Sequence, residues 1–286
     1  MSTTQNEGQS TSEEAQANNE LYPRWLSYCV FIPAAIFTLT SWIAGALLLF
    51  VASLVTHPFL NKTRHARLGN QFLGNLFVFF FKVLSWLRVV KIDDKELDPY
   101  IDMEGPLIIA SNHPALWDAP LLIQRFIYVS CIMKKELLNN PILRSGARFS
   151  GFVPNLPTLT MVRQSTEHLN QKGRLLLFPE GTRTRPENAP CNPFRHGVAL
   201  LAKNTQCPIL PVFIFMNSRY MQKGWPIWKM PPCPIRVKIK VGEIQKFREN
   251  EGTHDFSDRL QAYFGNFVET MDPWKSSSDK SEPEAK

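Results

Sequence analysis

Two short clusters of polar residues in this 286-residue chain have the types and spacing to do chemistry, and each follows an apolar run. The first is Asn112-His113-Pro114-Ala115-Leu116-Trp117-Asp118, behind Leu107–Ser111. Pro114 keeps His113 out of a regular helix, so Asp118 can fold back and accept a hydrogen bond from one ring nitrogen. The opposite nitrogen is then a base for a hydroxyl, and Asp118 stabilises the imidazolium that forms. The same spacing also suits a histidine that merely caps a helix beginning near Trp117.

The second cluster is Phe178-Pro179-Glu180-Gly181-Thr182-Arg183, again just past an apolar run. Gly181 allows close approach of a backbone or ligand, Thr182 supplies a hydroxyl, and Arg183 offers a planar donor fork suited to phosphate or carboxylate. Glu180 is an unusual neighbour for an anion site. It is suited to accept hydrogen bonds from an acceptor's hydroxyls or to pin a nearby basic side chain. Taken alone, the hexapeptide also reads as a turn with solvated charges. Lys134 and Arg195 are further basic candidates for anionic groups, or ordinary surface charges.

Together, Asn112, His113 and Asp118 followed by Phe178-Pro179-Glu180-Gly181-Thr182-Arg183 resemble the glycerolipid (lysophospholipid) acyltransferase family of the 1-acylglycerol-3-phosphate acyltransferase type. Lys134-Lys135-Glu136-Leu137 before Asn140-Pro141, Phe194-Arg195-His196-Gly197 and Pro208-Ile209-Leu210-Pro211-Val212 also resemble family blocks, so the resemblance spans most of 105–245. It implies acyl transfer from acyl-CoA or acyl carrier protein to a lipid hydroxyl at a membrane surface, with no metal and no cofactor beyond that co-substrate. It makes His113 the general base and Asp118 its orienting partner, and has Glu180, Gly181, Thr182 and Arg183 bind the acceptor. One departure stands out. Members of this family commonly carry an arginine for the acceptor phosphate in the segment after Gly151, whereas residues 151–157 here contain none and Arg163 comes too late. The acceptor is therefore a lysolipid such as 1-acylglycerol-3-phosphate, or a lipid or polyene without a phosphate.

The elements that must position these residues can be read from hydrophobic periodicity. Short apolar runs at Leu107–Ser111, 127–133, 175–178, 209–215 and Ile235–Val241 read as buried strands. Between and after them, 117–124, 136–143, 158–171, 196–205 and Thr253–Met271 carry helical spacing, the last with Thr253 as its cap. The expected fold is α/β, a mixed and largely parallel sheet flanked by helices as in the glycerolipid acyltransferases, preceded by N-terminal membrane-embedded helices. Ligands bind such sheets outside the carboxyl ends of the strands, where both polar clusters fall.

Residues 1–20 are polar and read as a disordered tail, as does 273–286. The run Trp25–Thr56 has no formally charged residue. That predicts a membrane-inserted segment over 21–60, either one tilted span or a helical hairpin. Lys62, Arg64 and Arg67 follow the run and only Arg24 precedes it, which places the downstream chain on the cytoplasmic side of a membrane such as the bacterial inner membrane. A second apolar stretch, Phe72 to Val90, is broken by Asn75, Lys82 and Arg88, so the segment 61–92 reads as an interfacial amphipathic helix, or as a core helix of the following domain. The acyltransferase domain is then 93–272. The Trp-rich segment 224–232 reads as a dip into the headgroup region or as a packed loop.

Composition sets outer limits. Lys and Arg exceed Asp and Glu by 32 to 25, a net charge of +7, which suits anionic partners. These charges are scattered rather than clustered with aromatics, which argues against nucleic acid. Five cysteines without a C-x-x-C pair suggest neither a disulfide framework nor a zinc site, and point to a reducing compartment. Three functions fit: an O-acyltransferase, a hydrolase sending water to the same thioester or ester, and a silent lipid-binding protein. His113 and Asp118 argue against the third.

Overall fold

A computed structural model describes residues 23–274 apart from 127, 157, 172, 227, 228, 230 and 232, so tail positions 1–20 and 275–286 lie outside the described residues. Seven strands form one sheet: β1 (Val90–Asp93), β2 (Leu107–Ser111), β3 (Val129–Met133), β4 (Val153–Pro154), β5 (Arg174–Leu177), β6 (Ile209–Met216) and β7 (Ile235–Val241), in the order β1-β7-β6-β2-β5-β3-β4. β6, β2, β5, β3 and β4 run parallel, while β7 pairs antiparallel with β6 and carries β1 parallel to itself. The mixed, largely parallel sheet expected from sequence is therefore present. β1 and β4 escaped the periodicity reading, because β1 alternates burial over only four residues and β4 is two residues long.

The helices are α1 (Arg24–Thr56), α2 (Lys62–Trp86), a single turn α3 (Asp98–Ile101), α4 (Asp118–Ile123), α5 (Pro141–Phe149), α6 (Thr158–Asn170), α7 (Gly197–Thr205) and α8 (Thr253–Met271). The expected helix over 136–143 is instead a 3₁₀ turn, Lys135–Asn139, and α5 starts afterwards. Asn140 sets that start: its side-chain oxygen accepts from the amides of Ile142 (2.9 Å) and Leu143 (3.3 Å), with Pro141 at the first helical position. Thr253 is the first residue of α8 rather than its cap; Gly252 takes the cap position without a side-chain bond.

The strands alternate between two cores. Leu210, Val212 and Ile214 of β6 face the layer of α2 and α4, with Phe80, Phe81, Leu84, Trp117 and Leu121. Ile209, Phe213 and Phe215 face α6, α7 and α8, with Val162, Leu201, Phe256 and Leu260. Trp274 packs on this second core, so ordered structure runs past the boundary read at residue 272.

α1 is one uninterrupted helix of 33 residues, about 50 Å long at the standard rise, and the chain turns back only after Thr56. Both α1 and α2 are long and apolar enough to cross a membrane, but they differ in burial. α2 buries a stripe at His65, Gly69, Leu73, Phe80 and Leu84. Asn70 in that stripe accepts from the Val129 amide (3.1 Å) and donates to the carbonyls of Val129 and Ser150. A buried amide with its hydrogen bonds satisfied by the domain fixes α2 as a docked helix of the fold on that face. The remainder of α2, including Phe79 and Trp86, stays exposed.

Candidate active site

β2 delivers the first cluster to the carboxyl end of the sheet. Asn112 continues the sheet with its side chain, accepting from the Ile214 amide (2.8 Å) and donating to the Ile214 carbonyl (3.1 Å) of β6. The chain then turns, and α4 begins at Asp118 with Trp117 as its cap residue and no side-chain cap bond. His113 does not cap that helix. Its Nδ1 lies 2.8 Å from Oδ2 of Asp118. The same oxygen accepts from the amide of Ala115 at 2.7 Å, which locks the carboxylate inside the turn.

Asp118 is fully buried, whereas the His113 side chain keeps 19% of its surface exposed. Burial raises the Asp118 pKa, opposed by the His113 hydrogen bond and charge, the Ala115 amide and the charge of Arg183. With those partners the carboxylate accepts, so Nδ1 carries the proton and Nε2 presents a lone pair. No protein group bonds Nε2 among the described residues. Phe178 stacks on the imidazole at 4.1 Å with planes 20° apart, fixing the ring from its flat side.

The second cluster follows β5, the neighbour of β2, and is stitched to the first. The His113 amide donates to Oε1 of Glu180 (3.2 Å), and the Thr184 amide donates to the His113 carbonyl (2.8 Å). Glu180 is 2% exposed and its oxygens are taken up: Oε1 also accepts from the Thr184 hydroxyl, and Oε2 from the amide and side chain of Asn192. Burial raises its pKa, and these hydrogen bonds, chiefly that from the Asn192 amide, oppose the shift. None of its recorded partners is a basic side chain, so Glu180 organises the two loops from beneath.

Gly181 adopts φ +66°. A Cβ there would stand 2.4 Å from Nε and 2.6 Å from Cδ of Arg195, so the missing side chain is what lets Arg195 lie across the turn. Arg195 is also tied by its amide to the Pro179 carbonyl at 2.8 Å. Thr182 is partly exposed in the same loop. Arg183 donates from Nη1 to the Met221 carbonyl (2.9 Å), and the loop holding Met221 reaches the first cluster through a bridge between Gln222 and Ala115. Lys134 is exposed just past β3, at the same end of the sheet but two strands from β2, and no bond joins it to the histidine. Thr184, Asn192 and the 221–222 loop had no signal in the sequence. Phe178 sits within the second cluster, but its stacking on His113 depends on the pairing of β2 with β5.

An apolar cleft of about 360 Å³ opens between α1, α2 and α5, lined by Trp42, Leu48, Phe77, Phe80, Leu137 and Phe152 among others. Phe80 meets Trp117, the residue before Asp118, edge-on at 6.2 Å. Trp225 is held in its own loop, donating to the Lys229 carbonyl (2.9 Å) and contacting Tyr220; Trp228 lies outside the described residues. All five cysteines are free, and burial pushes the Cys131 thiol up to about 12.

The family model described as Acyltransferase matches residues 90–215, from β1 to the middle of β6. The chain is 25% identical over 189 residues to a 1-acyl-sn-glycerol-3-phosphate acyltransferase of Pseudomonas aeruginosa, covering 63% of this chain and 70% of that one. It is 23% identical over 186 residues to the chloroplastic 1-acyl-sn-glycerol-3-phosphate acyltransferase BAT2 of Brassica napus, covering 63% of this chain and about half, 52%, of that protein. In fold it is similar to the crystal structure of the 1-acyl-sn-glycerophosphate acyltransferase PlsC of Thermotoga maritima, with TM-score 0.54, 20% identity, and coverage of 86% of this chain and 100% of that one. Both polar clusters, joined in one site on this sheet, lie within the matched residues 90–215, so it is this part of the chain that is similar to the acyltransferases.

Proposed function

We propose that the protein moves a fatty acyl group from an acyl thioester, acyl-CoA or acyl carrier protein, to the free hydroxyl of 1-acylglycerol-3-phosphate or a related lysolipid. The observation that carries this reading is the 2.8 Å bond from His113 Nδ1 to the buried Asp118, which leaves Nε2 free at the carboxyl end of the sheet. Nε2 takes the proton as the acceptor oxygen attacks the thioester carbonyl. The C–O bond forms, the C–S bond breaks, and the proton passes to the departing thiolate. A thioester is already activated, so the step needs no covalent enzyme intermediate and, as written, no metal.

Glu180 works through the backbone of His113 rather than on substrate. Arg183, Arg195 and the Thr182 hydroxyl face the acceptor headgroup, with Lys134 as a further cation at the same end. The names of the Pseudomonas and Brassica relatives support a phosphate-bearing acceptor. The absence of arginine from 151–157 leaves the positive charge for it to Arg183, Arg195 and Lys134. α1 lies in the membrane and the catalytic domain faces the cytoplasm, a reading supported by the uncharged run Trp25–Thr56 and the basic Lys62, Arg64 and Arg67 after it.

The test is to incubate purified full-length protein in vesicles with labelled acyl-CoA or acyl carrier protein and a panel of lysolipids with and without phosphate, then identify products by mass spectrometry. Diacyl product from the phosphate-bearing lysolipid supports the reading. Free fatty acid as the dominant product in the presence of every acceptor would convert the enzyme to a hydrolase.

A further inference from the structure

β7 alternates in burial: Ile235, Val237 and Ile239 face the core beneath α2 and α4, which turns Arg236, Lys238 and Lys240 to the opposite side. Strand register extends this row. Lys91 of β1 pairs with Arg236, while Phe213 and Phe215 of β6 pair with Lys240 and Lys238. Both phenylalanines belong to the core covered by α6, α7 and α8, so the cations continue that side of the sheet outward past the helices. Lys91 is exposed and the other three are half-buried. Asp93 stands opposite Lys238, so four cations against this carboxylate leave a net charge of +3 on the paired strands. Phe267 of α8 stacks on Phe213 at 3.9 Å, and Met271, one turn later on the same helix, is exposed and gives the row an apolar border. The row is close to the active site. Asn112 bonds through its side chain to Ile214, and Ile214 pairs with Ile239, so Lys238 and Lys240 flank the level of the His113 loop. β7 is two strands from β2, about 10 Å to the side.

We infer that this basic row docks an acidic protein that carries the acyl thioester on a flexible arm, an acyl carrier protein. The inference rests on the proposed function, and names both the donor of that reaction and the surface that receives it. Charge complementarity carries it. Successive cations of β7 stand about 7 Å apart along the strand, a spacing that an acidic helix laid over them, with a turn of about 5 Å, meets in sequence. The phosphates of coenzyme A call for donors that converge on one point, and a row spread along a flat sheet face does not converge. Anionic lipid fits the wrong side, because α1 and α2 pack on the other face of the sheet. From the row, the thioester arm has only β6 to pass before it reaches the His113 loop.

The full-length double variant Lys238→Glu, Lys240→Glu in phosphatidylcholine vesicles tests it. Neither residue belongs to the catalytic or acceptor-binding set, and both are partly exposed. With acyl carrier protein as donor, KM should rise roughly tenfold at unchanged kcat, while KM for acyl-CoA stays as in the wild type. Raising salt from about 0.05 to 0.2 M should raise the wild-type KM for the carrier and affect the variant less. An unchanged KM for the carrier overturns the inference, as does an equal rise for both donors. If the charge reversal unfolds the protein, the milder pair Lys238→Gln, Lys240→Gln decides by the same comparison. Binding read without turnover separates this inference from the proposed function. Fluorescence anisotropy of labelled holo-carrier protein should show binding to the wild type and roughly tenfold weaker binding to the variant. No binding to the wild type, or equal binding to both, overturns the docking surface even where transfer proceeds. Absence of transfer with either donor would defeat the proposed function and leave the anisotropy to decide the docking.

Discussion

Glu180 and Asn192 meet through both nitrogens of the asparagine: its amide (2.9 Å) and its side-chain Nδ2 (2.6 Å) donate to Oε2 of the carboxylate. The other oxygen, Oε1, accepts from the His113 amide, so Asn192 supports the base from across a buried charge. Removing its side chain takes one of the two bonds from Oε2 and leaves that oxygen of the buried carboxylate only the amide of residue 192. Asn192→Ala should therefore cost about 1–3 kcal/mol of stability, together with a loss of turnover of tenfold or more. Thermal unfolding of the solubilised protein and steady-state kinetics measure both. Wild-type turnover in a correctly folded Asn192→Ala would show that the network beneath His113 does not set its geometry.

Asp118→Asn separates charge from shape. The amide oxygen can still accept from Ala115 and His113, but the negative charge that stabilises imidazolium is gone. Turnover should fall by roughly 10²–10⁴-fold. Burial holds the Asp118 pKa above its usual value, so the folded state binds this proton more readily than the unfolded chain does. Stability from this group is present in full below the unfolded pKa, near 3.8, and is lost as pH rises through the folded value. Relative to wild type, the variant should gain stability as pH rises from about 4 to 7 while losing activity. A stability difference between variant and wild type that stays constant, or moves the other way, over this pH range would contradict the electrostatic account.

Gly181→Ala tests the turn. The residue at φ +66° would bear a Cβ against Arg195, costing about 1–2 kcal/mol in backbone strain and displacing the guanidinium. KM for the acceptor should rise more than kcat falls. The reverse pattern would take Arg195 out of the acceptor site.

Gly69→Ala tests how α2 belongs to the fold. A Cβ at 69 would lie 2.0 Å from the Phe149 carbonyl oxygen, so α2 would have to move off α5. Overpacking of this kind costs about 1–3 kcal/mol, read as a lower unfolding temperature. An unaffected protein would mean that α2 is held only loosely.

What the sequence disclosed and what it hid follow from range. His113 and Asp118 are five positions apart, and one turn brings them together, so local chemistry was enough to read them. β2 and β7 were legible to the residue because they are bounded apolar or alternating runs. Glu180 was assigned to substrate because its four donors come from His113, Thr184 and Asn192, and the link to residue 113 crosses 67 positions that only sheet order brings together. The docking of α2, which the sequence offered only as the alternative to an interfacial helix, was undecided for the same reason: the partners of Asn70 lie 59 and 80 positions away. α5 was misplaced because apolar spacing over 136–143 outweighed the Asn140-Pro141 start signal.

The central claim is that Nε2 of His113, with Asp118 behind it, deprotonates the acceptor hydroxyl. It is tested most directly by the single-turnover rate of full-length His113→Ala in vesicles, with acyl thioester and lysolipid both saturating. The account predicts a fall of at least roughly 10²–10⁴-fold, with the protein still sedimenting with the vesicles. Retention of the wild-type rate would contradict it.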